Sequence, residues 1–353
     1  MILQFFLLFI PLSILLERSH AAPNWIFLTS IAAILPLAEW IRRATEQLAH
    51  RTGSAVGSLL NVTFGNLAEL ILALFVLRTG HVEVVKATIL GSILGNCLLG
   101  LGIAILAGSA GRERQSFSRE RAGLMGSLLM LSTIALLVPA VFDRVERASV
   151  GVPSASALDL RLSLAVSVLL LLAYFAKLIY TLVTHREFLG SHEDARPESP
   201  WPLWRSLAVL VVATAAVALE AELVSGSLES AAGALGLSTI FLGVIVLPLM
   251  GNASEYFSAV YFARRDRMDL VMGLTAGSGI QVALLTAPLL VLLSYPMGHP
   301  MDLVFHDPLE LFAFVGAAFA VNSIAQDGET NWFEGVLLLA VYLLFGMAFY
   351  FLR

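Results

Sequence analysis

Long apolar runs separated by short polar breaks recur along almost the whole chain. Many runs are about 20 residues long, the length that an α-helix needs to cross the hydrocarbon core of a bilayer. The pattern therefore predicts an all-α integral membrane protein with eleven transmembrane helices. The predicted spans are roughly residues 1–17, 25–42, 55–78, 83–109, 121–142, 161–183, 203–225, 235–262, 268–293, 307–325 and 332–352.

The composition supports a membrane protein and narrows its function. Hydrophobic residues make up 58% of the chain and charged residues only 13%, with a mean hydropathy of +0.85, whereas a soluble domain has about 25% charged residues. The single cysteine, Cys97, excludes a disulfide framework. No basic stripe for nucleic acid, phosphate-binding loop, nucleophile elbow or HExxH pattern occurs, so we expect neither an enzyme nor a resident cofactor.

Basic residues predict the orientation of the chain in the membrane. Fourteen lie on one predicted side and seven on the other, and the positive-inside rule then places the N-terminus in the cytoplasm. The first apolar run has no Lys or Arg before it, which a secretory signal normally carries. We therefore expect a retained first helix, with cleavage after His20-Ala21 as the alternative.

A repeat divides the chain into two related halves. Gly65-Asn66-Leu67-Ala68-Glu69 recurs as Gly251-Asn252-Ala253-Ser254-Glu255, and Gly91-Ser92 recurs as Gly277-Ser278. Both matches have the same offset of 186 residues, from 65 to 251 and from 91 to 277. Five predicted crossings separate the copies, so the second copy is inverted in the membrane. Inverted repeats with a central site are typical of secondary transporters.

The repeated glutamates are the strongest candidates for a binding site. A carboxylate in the bilayer centre costs on the order of 3 kcal/mol by insertion scales, so it needs a partner, a proton or a cation. Asn66 and Glu69, like Asn252 and Glu255, are spaced i, i+3 and share a helix face. The preceding glycines, and Pro248, favour broken helices, whose carbonyl oxygens are potential cation ligands.

The partner spans add further oxygen ligands. Ser92 and Asn96 are four residues apart, Ser278 and Gln281 are three apart, and each pair shares a face. Two carboxylates with amide and hydroxyl oxygens suit calcium, which takes six to eight oxygen ligands. The predicted metal ligands are Glu69 and Glu255. The wider predicted cation- and proton-binding set is Glu69, Glu255, Asn66, Asn252, Asn96, Gln281, Ser92 and Ser278.

These residues predict a competition between calcium and protons. Without calcium, two close buried carboxylates repel each other, so their affinity for protons rises. The alternative for Ser92 or Asn96 alone is a hydrogen bond that packs two helices. Six further glutamates near predicted span ends are weaker candidates for a proton path: Glu39, Glu46, Glu220, Glu222, Glu310 and Glu334.

At these residues the sequence resembles the calcium/proton antiporter (CAX) family of the calcium/cation antiporter superfamily, over nearly the whole chain. The residues that carry the resemblance are Pro36-Leu37-Ala38, Ala44-Thr45-Glu46, Leu59-Leu60-Asn61, Thr63-Phe64-Gly65-Asn66, Glu69-Leu70, Gly91-Ser92-Ile93-Leu94, Asn96, Leu247-Pro248, Gly251-Asn252-Ala253, Glu255, Met268-Asp269-Leu270, Gly277-Ser278 and Gln281. Three positions depart from the family pattern, because Tyr256 stands where His is frequent and Gly95 and Gly279 stand where Ser is common.

The resemblance implies one N-terminal helix, two inverted five-helix repeats and a possible homo-oligomer. It also implies that Glu69 and Glu255 bind calcium and protons alternately. The expected organisation is an N-terminal transmembrane helix (1–20), a first repeat (24–183), a cytoplasmic linker (184–202) and a second repeat (203–353). We expect a solvated linker, with an acidic cation sensor as the alternative. The short N-terminus favours a prokaryotic plasma membrane over a vacuole.

The predicted function is exchange of Ca²⁺ for H⁺ across a lipid bilayer by alternating access, with Ca²⁺ as transported substrate. Two alternatives use the same scaffold: a cation/proton exchanger for Mn²⁺ or Na⁺, and a Na⁺/Ca²⁺ exchanger. In the sodium/calcium branch a proline typically precedes the acidic residue, whereas Ala68 and Ser254 occupy those positions here. A channel or a membrane-embedded enzyme is the more distant alternative.

Overall fold

The structure is a computed structural model and describes residues 5–52, 60, 64–150, 157–184 and 201–352. Most of the predicted linker, residues 185–200, lies outside the described residues, as do residues 1–4 of the first predicted span and most of residues 53–63. The predicted linker role, the possible leader cleavage and the boundaries of the two repeats stay predictions.

The described chain is almost entirely helical. In chain order the helices are α1 (Phe9–Arg18), α2 (Pro23–Thr52), α3 (Leu67–Arg78), α4 (Val82–Gly108), α5 (Arg119–Val150), α6 (Ala157–Thr184), α7 (Leu203–Leu235), α8 (Thr239–Gly251), α9 (Ala253–Arg264), α10 (Met268–Ser294), α11 (Pro308–Asp327) and α12 (Trp332–Phe351). A short 3₁₀ turn, Phe6–Leu8, precedes α1. Two short strands, β1 (Gln115–Ser116) and β2 (Glu329–Thr330), pair antiparallel.

Length and apolar composition identify the membrane helices. Among the described residues, eight helices are long and apolar enough to cross a membrane, and α8 with α9 passes the same test as a broken pair. The helical membrane fold is thus confirmed. Several predicted spans end too early: the helices predicted for 25–42, 121–142 and 203–225 continue to Thr52, Val150 and Leu235. The span predicted for 235–262 is interrupted at Asn252.

The described residues form two compact units, and each unit consists of more than one segment of the chain. The first unit takes its described residues from Met1–Val85, Leu178–Ser254 and Leu352–Arg353. Within it, α2 packs along α7, and α1 and α3 pack against these helices. A buried apolar cluster joins three of these helices, because small side chains let them approach closely. Its members are Leu37, Ala38, Ile41, Ala68, Ala213 and Val217.

The second unit takes its residues from Lys86–Lys177 and Glu255–Phe351. Within it, α5 packs on α11, and α12 packs on the second half of α4. Glycine favours the close packing of α12 on α4, since a Cβ at Gly102 would make a tight contact of 3.1 Å with the Gly335 carbonyl oxygen.

An extended segment between α10 and α11 is unusually buried for a loop. Its backbone is held by side chains: Ser294 Oγ accepts from Met301 N, and Ser163 Oγ accepts from Leu303 N, both over 2.9 Å. Lys86 Nζ lies 2.5 Å from Asp302 Oδ1 and donates to the Val304 carbonyl oxygen over 3.0 Å. The segment is therefore fixed by specific bonds rather than by solvent contact.

Candidate functional site

Two helices of the chain begin in the same way at the repeated motif. α3 begins after Asn66, whose backbone angles are φ −102° and ψ 21°, and α9 begins after Asn252, at φ −99° and ψ 2°. Neither pair of angles is helical, so a new helix begins after each asparagine, and at Asn252 this start separates α9 from α8. Glu69 and Glu255 then lie in the first turn of the new helix. The repeat in the sequence is therefore also a repeat in local structure.

In the first unit, Glu69 lies beside the second copy of the motif. The Asn252 side-chain amide donates to Glu69 Oε1 over 3.4 Å. A Cβ on Gly251 would lie 3.9 Å from the Glu69 Cβ, so this backbone passes close to the carboxylate stem. Asn66, Glu69 and Asn252 are all buried, and Asn66 Nδ2 has no hydrogen-bond partner among the described residues.

In the second unit, the sequence-predicted residues lie on three segments that pack together. Ser92 and Asn96 belong to α4, Glu255 to α9, and Ser278 and Gln281 to α10, and all five side chains are buried. Neither polar atom of Asn96 finds a hydrogen-bond partner within the described part of the chain. A buried amide in this situation is available to a ligand or a water molecule.

Two glycines bring these three segments together. A Cβ on Gly95 would collide with the Tyr256 hydroxyl, and a Cβ on Gly279 would lie 2.8 Å from Cys97 Sγ. The first contact places α9 against α4 beside Glu255, and the second places α10 against α4 beside Ser278. Tyr256, Gly95 and Gly279 are therefore part of the packing around the predicted residues. Sequence reasoning noted them as departures from the family pattern but gave them no structural role.

The backbone of α4 and α10 widens near these residues. Gly95–Gly100 and Val282–Thr286 are π-helical stretches, and both follow closely on the repeated Gly-Ser pair. Single π-turns inside α-helices are frequent at functional sites. Asn96 lies within the first stretch, and Gln281 immediately precedes the second.

The weaker glutamate candidates separate into different environments. Glu39 and Glu46 pair with Arg42, Glu310 belongs to the capping box of α11, and Glu334 accepts from Thr330 Oγ1. Glu222 is exposed. Glu220 is different, because it is completely buried in the interior of α7. Both Glu220 and Glu222 lie in the interior of α7, so their predicted position near a span end is wrong.

The oxygen chemistry of the site suits a hard cation. The predicted residues supply carboxylate, amide and hydroxyl oxygens, which are the ligands that calcium takes in proteins. Among the described residues, no group of three His, Cys, Asp or Glu side chains comes together.

Comparison with known proteins shows similarity along nearly the whole chain. The family model described as sodium/calcium exchanger protein matches residues 23–183 and 205–351. A protein of Aphanothece halophytica named Ca(2+)/H(+) antiporter is 42% identical over 361 residues, covering 98% of this chain and 95% of that protein. The Ca(2+)/H(+) antiporter ChaA of Bacillus subtilis is 37% identical over 348 residues, covering 97% of each chain.

Solved structures also resemble this chain along nearly its whole length. The structure of native YfkE superposes with a TM-score of 0.83 at 33% identity, covering 98% of this chain and 99% of that chain. A structure of the H+/Ca2+ exchanger CAX superposes with a TM-score of 0.70 at 15% identity, over 99% of this chain and 91% of that chain, which shows a common fold. This chain belongs to the sodium/calcium exchanger protein family, in the branch whose members are named calcium/proton antiporters.

Proposed function

We propose that the protein is a secondary active transporter that exchanges Ca²⁺ for H⁺ across a membrane by alternating access. Glu69 and Glu255 bind either Ca²⁺ or protons. Support comes from the full-length similarity to relatives that are named Ca(2+)/H(+) antiporters.

One observation carries the proposal: Glu69 and Glu255 are both buried, each in the first turn of a helix that begins after an asparagine. A buried carboxylate is costly unless a positive charge or a proton compensates it. Calcium and protons both satisfy this requirement, and binding of one displaces the other. The uncompensated form is the costly one, so a change of access without calcium or protons is disfavoured.

The remaining predicted residues complete the proposed ligand set. Asn66, Asn252, Asn96, Gln281, Ser92 and Ser278 supply amide and hydroxyl oxygens. Their burial and the unsatisfied amide of Asn96 support this role. Calcium needs more oxygen atoms than two carboxylates provide, which is the physical reason for including neutral ligands.

The proposed layout has an N-terminal helix and two inverted five-helix repeats, with the N-terminus in the cytoplasm of a prokaryotic cell and a possible homo-oligomer in its plasma membrane. In support, the helices α1 to α12 number eleven in the described chain when α8 and α9 count as one broken span. The similar non-helical backbone angles of Asn66 and Asn252, each just before a new helix, support the repeat.

Proteoliposomes with a pH gradient test the function. A gradient that is acidic inside should drive uptake of calcium in the absence of sodium and potassium. Glu69→Gln and Glu255→Gln should each abolish uptake, because a neutral amide cannot balance the calcium charge. Glu120→Gln, at an exposed glutamate of α5, is the matched control and should transport normally. Retained uptake in either site variant contradicts the proposal.

Replacement of the cation in the same assay separates the alternatives. Proton-driven uptake of Mn²⁺ or Na⁺ in place of Ca²⁺ would identify a different cation/proton exchanger. Calcium uptake that requires a sodium gradient would identify a Na⁺/Ca²⁺ exchanger. A calcium flux that follows only its own gradient would identify a channel.

A further inference from the structure

Glu220 is a buried carboxyl group that the proposed cation site does not include. It lies in the interior of α7 and has 0% of its surface exposed. It follows Val217 by nearly one helical turn, and Val217 belongs to the apolar cluster that also contains Ala68. The carboxyl group is thus surrounded by protein in a membrane helix, where an ionised form is costly without a partner.

The hydrogen-bond geometry around Glu220 favours an extra proton. Ser13 Oγ lies 2.9 Å from Glu220 Oε1 and 2.8 Å from the carbonyl oxygen of Ile10. A serine hydroxyl has one hydrogen and donates to only one of these acceptors. Both contacts become hydrogen bonds when the Glu220 carboxyl is protonated and donates to Ser13, while Ser13 donates to Ile10.

A second hydroxyl faces the same carboxyl group. Ser30 of α2 is completely buried and interacts with Glu220, although its Oγ does not reach the geometry of a hydrogen bond with any described residue. Glu220 Oε2 also lacks a hydrogen-bond partner within the described residues. Ser13 and Ser30 therefore approach Glu220 from α1 and α2.

Charged groups on the neighbouring helices do not neutralise Glu220. Glu17 of α1 acts on it electrostatically and has the same sign. Glu39 of α2 is held by arginines, Glu69 of α3 bonds Asn252, and Glu222 of α7 is exposed. Four arginines of these helices contact other groups: Arg42, Arg43, Arg51 and Arg205. The other two, Arg18 and Arg78, lie in the last turns of α1 and α3. No ion pair of Glu220 occurs in the described chain.

We propose that Glu220, Ser13 and Ser30 form a proton-binding site that is separate from the residues assigned to the cation, and that its proton fastens α1 to α7. When the proton leaves, the carboxylate and the Ile10 carbonyl oxygen compete for a single hydroxyl hydrogen, and the carboxylate repels Glu17. The contact between α1 and α7 then weakens. Proton binding at Glu220 thus makes the attachment of the N-terminal helix depend on pH.

Hydrogen–deuterium exchange of residues 9–18 in the full chain tests the proposal. After correction for intrinsic exchange rates, raising the pH should speed exchange of α1 about tenfold, the effect of losing one hydrogen bond. Glu220→Gln, which keeps a donor and carries no charge, should hold α1 in slow exchange at every pH. Glu222→Gln is the matched control and should follow the unmodified protein. Exchange of α1 that is independent of pH, or an unchanged pH dependence in Glu220→Gln, overturns the proposal.

Two further measurements keep the test independent of transport and of folding defects in one variant. Infrared spectra should show a protonated carboxyl band that Glu220→Gln removes, and a spectrum unchanged by this substitution overturns the proposal. Ser13→Ala keeps the carboxyl group but removes the hydroxyl, and it should leave α1 in fast exchange throughout; slow exchange that persists in it counts against the proposal. Glu69→Gln should lose transport yet keep the pH dependence of α1.

Discussion

The side-chain amide of Asn252 donates to Glu69 Oε1 over 3.4 Å, although 183 positions separate the two residues. The donor comes from the second copy of the repeated motif and the acceptor from the first. Within the first unit, the two copies therefore form one hydrogen-bonded pair beside the points where α3 and α9 begin.

Asn252→Ala should raise the half-saturating calcium concentration of proton-driven uptake about tenfold, which corresponds to ~1.4 kcal/mol of binding free energy. The reason is that Glu69 loses a hydrogen-bond donor that fixes its carboxylate. Calcium titration of uptake in proteoliposomes measures this change. Asn24→Ala, in the first turn of α2, serves as the control and should leave the titration unchanged. An unaltered half-saturating calcium concentration in Asn252→Ala would show that the hydrogen bond does not contribute to binding.

Gly95→Ala should destabilise the protein by about 1–3 kcal/mol, the usual cost of overpacking, because its Cβ collides with the Tyr256 hydroxyl. Tyr256→Phe in the same chain should restore stability, since the next nearest atom, Tyr256 Cζ, lies 3.7 Å from that Cβ. Thermal unfolding in detergent measures both effects.

Gly100→Ala is a matched control for the combination of Gly95→Ala with Tyr256→Phe. Its Cβ would lie 2.7 Å from Tyr256 Cδ1 and 2.9 Å from Cε1, and phenylalanine keeps both atoms. Tyr256→Phe should therefore rescue Gly95→Ala but not Gly100→Ala. Equal rescue at both positions would refute the proposed contacts.

Lys86→Met should destabilise the second unit by about 3–5 kcal/mol, because it leaves the Asp302 charge without its partner in a largely buried place. The exposed side-chain fractions are only 2% for Lys86 and 14% for Asp302. Adding Asp302→Asn to Lys86→Met should recover much of the loss, since no lone charge remains. Melting temperatures of the single and double variants measure this coupling.

The exposed pair of Arg114 and Glu329 provides the comparison. Their side chains are 70% and 44% exposed. Because solvent screens the charges, an exposed ion pair of this kind stabilises a protein by at most about 1 kcal/mol. Arg114→Met should therefore change the melting temperature far less than Lys86→Met. Similar losses at both pairs would show that burial does not determine the effect.

The environment of Tyr295 predicts that the folded protein loses stability at alkaline pH. Its hydroxyl donates to the Leu160 carbonyl oxygen over 3.3 Å, and burial, together with the charge of Asp302, raises the pKa of Tyr295. The folded state therefore favours the neutral phenol. This stabilisation is complete below the unfolded pKa of about 10 and is lost as the pH rises toward the higher folded pKa.

Tyr295→Phe should reduce the alkaline decline of the melting temperature, because the substituted ring does not ionise. Tyr350→Phe, at an exposed tyrosine of α12, is the control and should retain the full decline. Identical pH profiles for the unmodified protein and Tyr295→Phe would contradict the prediction.

The sequence predicted the helical membrane fold because apolar runs of membrane length are a local signal. The end of α7 was not predictable in this way, since Ser225-Gly226-Ser227 reads as a polar break. In the structure both serine hydroxyls donate to carbonyl oxygens of the preceding turn, Ser225 to Glu222 and Ser227 to Leu223. The helix therefore continues, and Glu220 lies in its interior.

The candidate site shows the same limit of local reasoning. Helical spacing placed Asn66 and Glu69 on one face, yet Glu69 accepts a hydrogen bond from Asn252, which is distant in the sequence. The repeat identified both glutamates, because identical residue types at one offset can be read directly. The contact between Tyr256 and Gly95 could not be predicted from the sequence, because it depends on how closely two helices approach each other. No local sequence pattern determines that distance.

The widened backbone at Gly95–Gly100 affects how the rest of α4 should be mapped. A π-turn adds about one residue to the α-helical count, so side chains beyond it are rotated by roughly 100° from an uninterrupted helix. Cysteine scanning of Leu101–Gly108 that assumes α-helical spacing from Ser92 would assign the wrong residues to the face of the site. Deleting a single residue within the stretch should restore regular spacing and turn Leu101 and its successors to different neighbours.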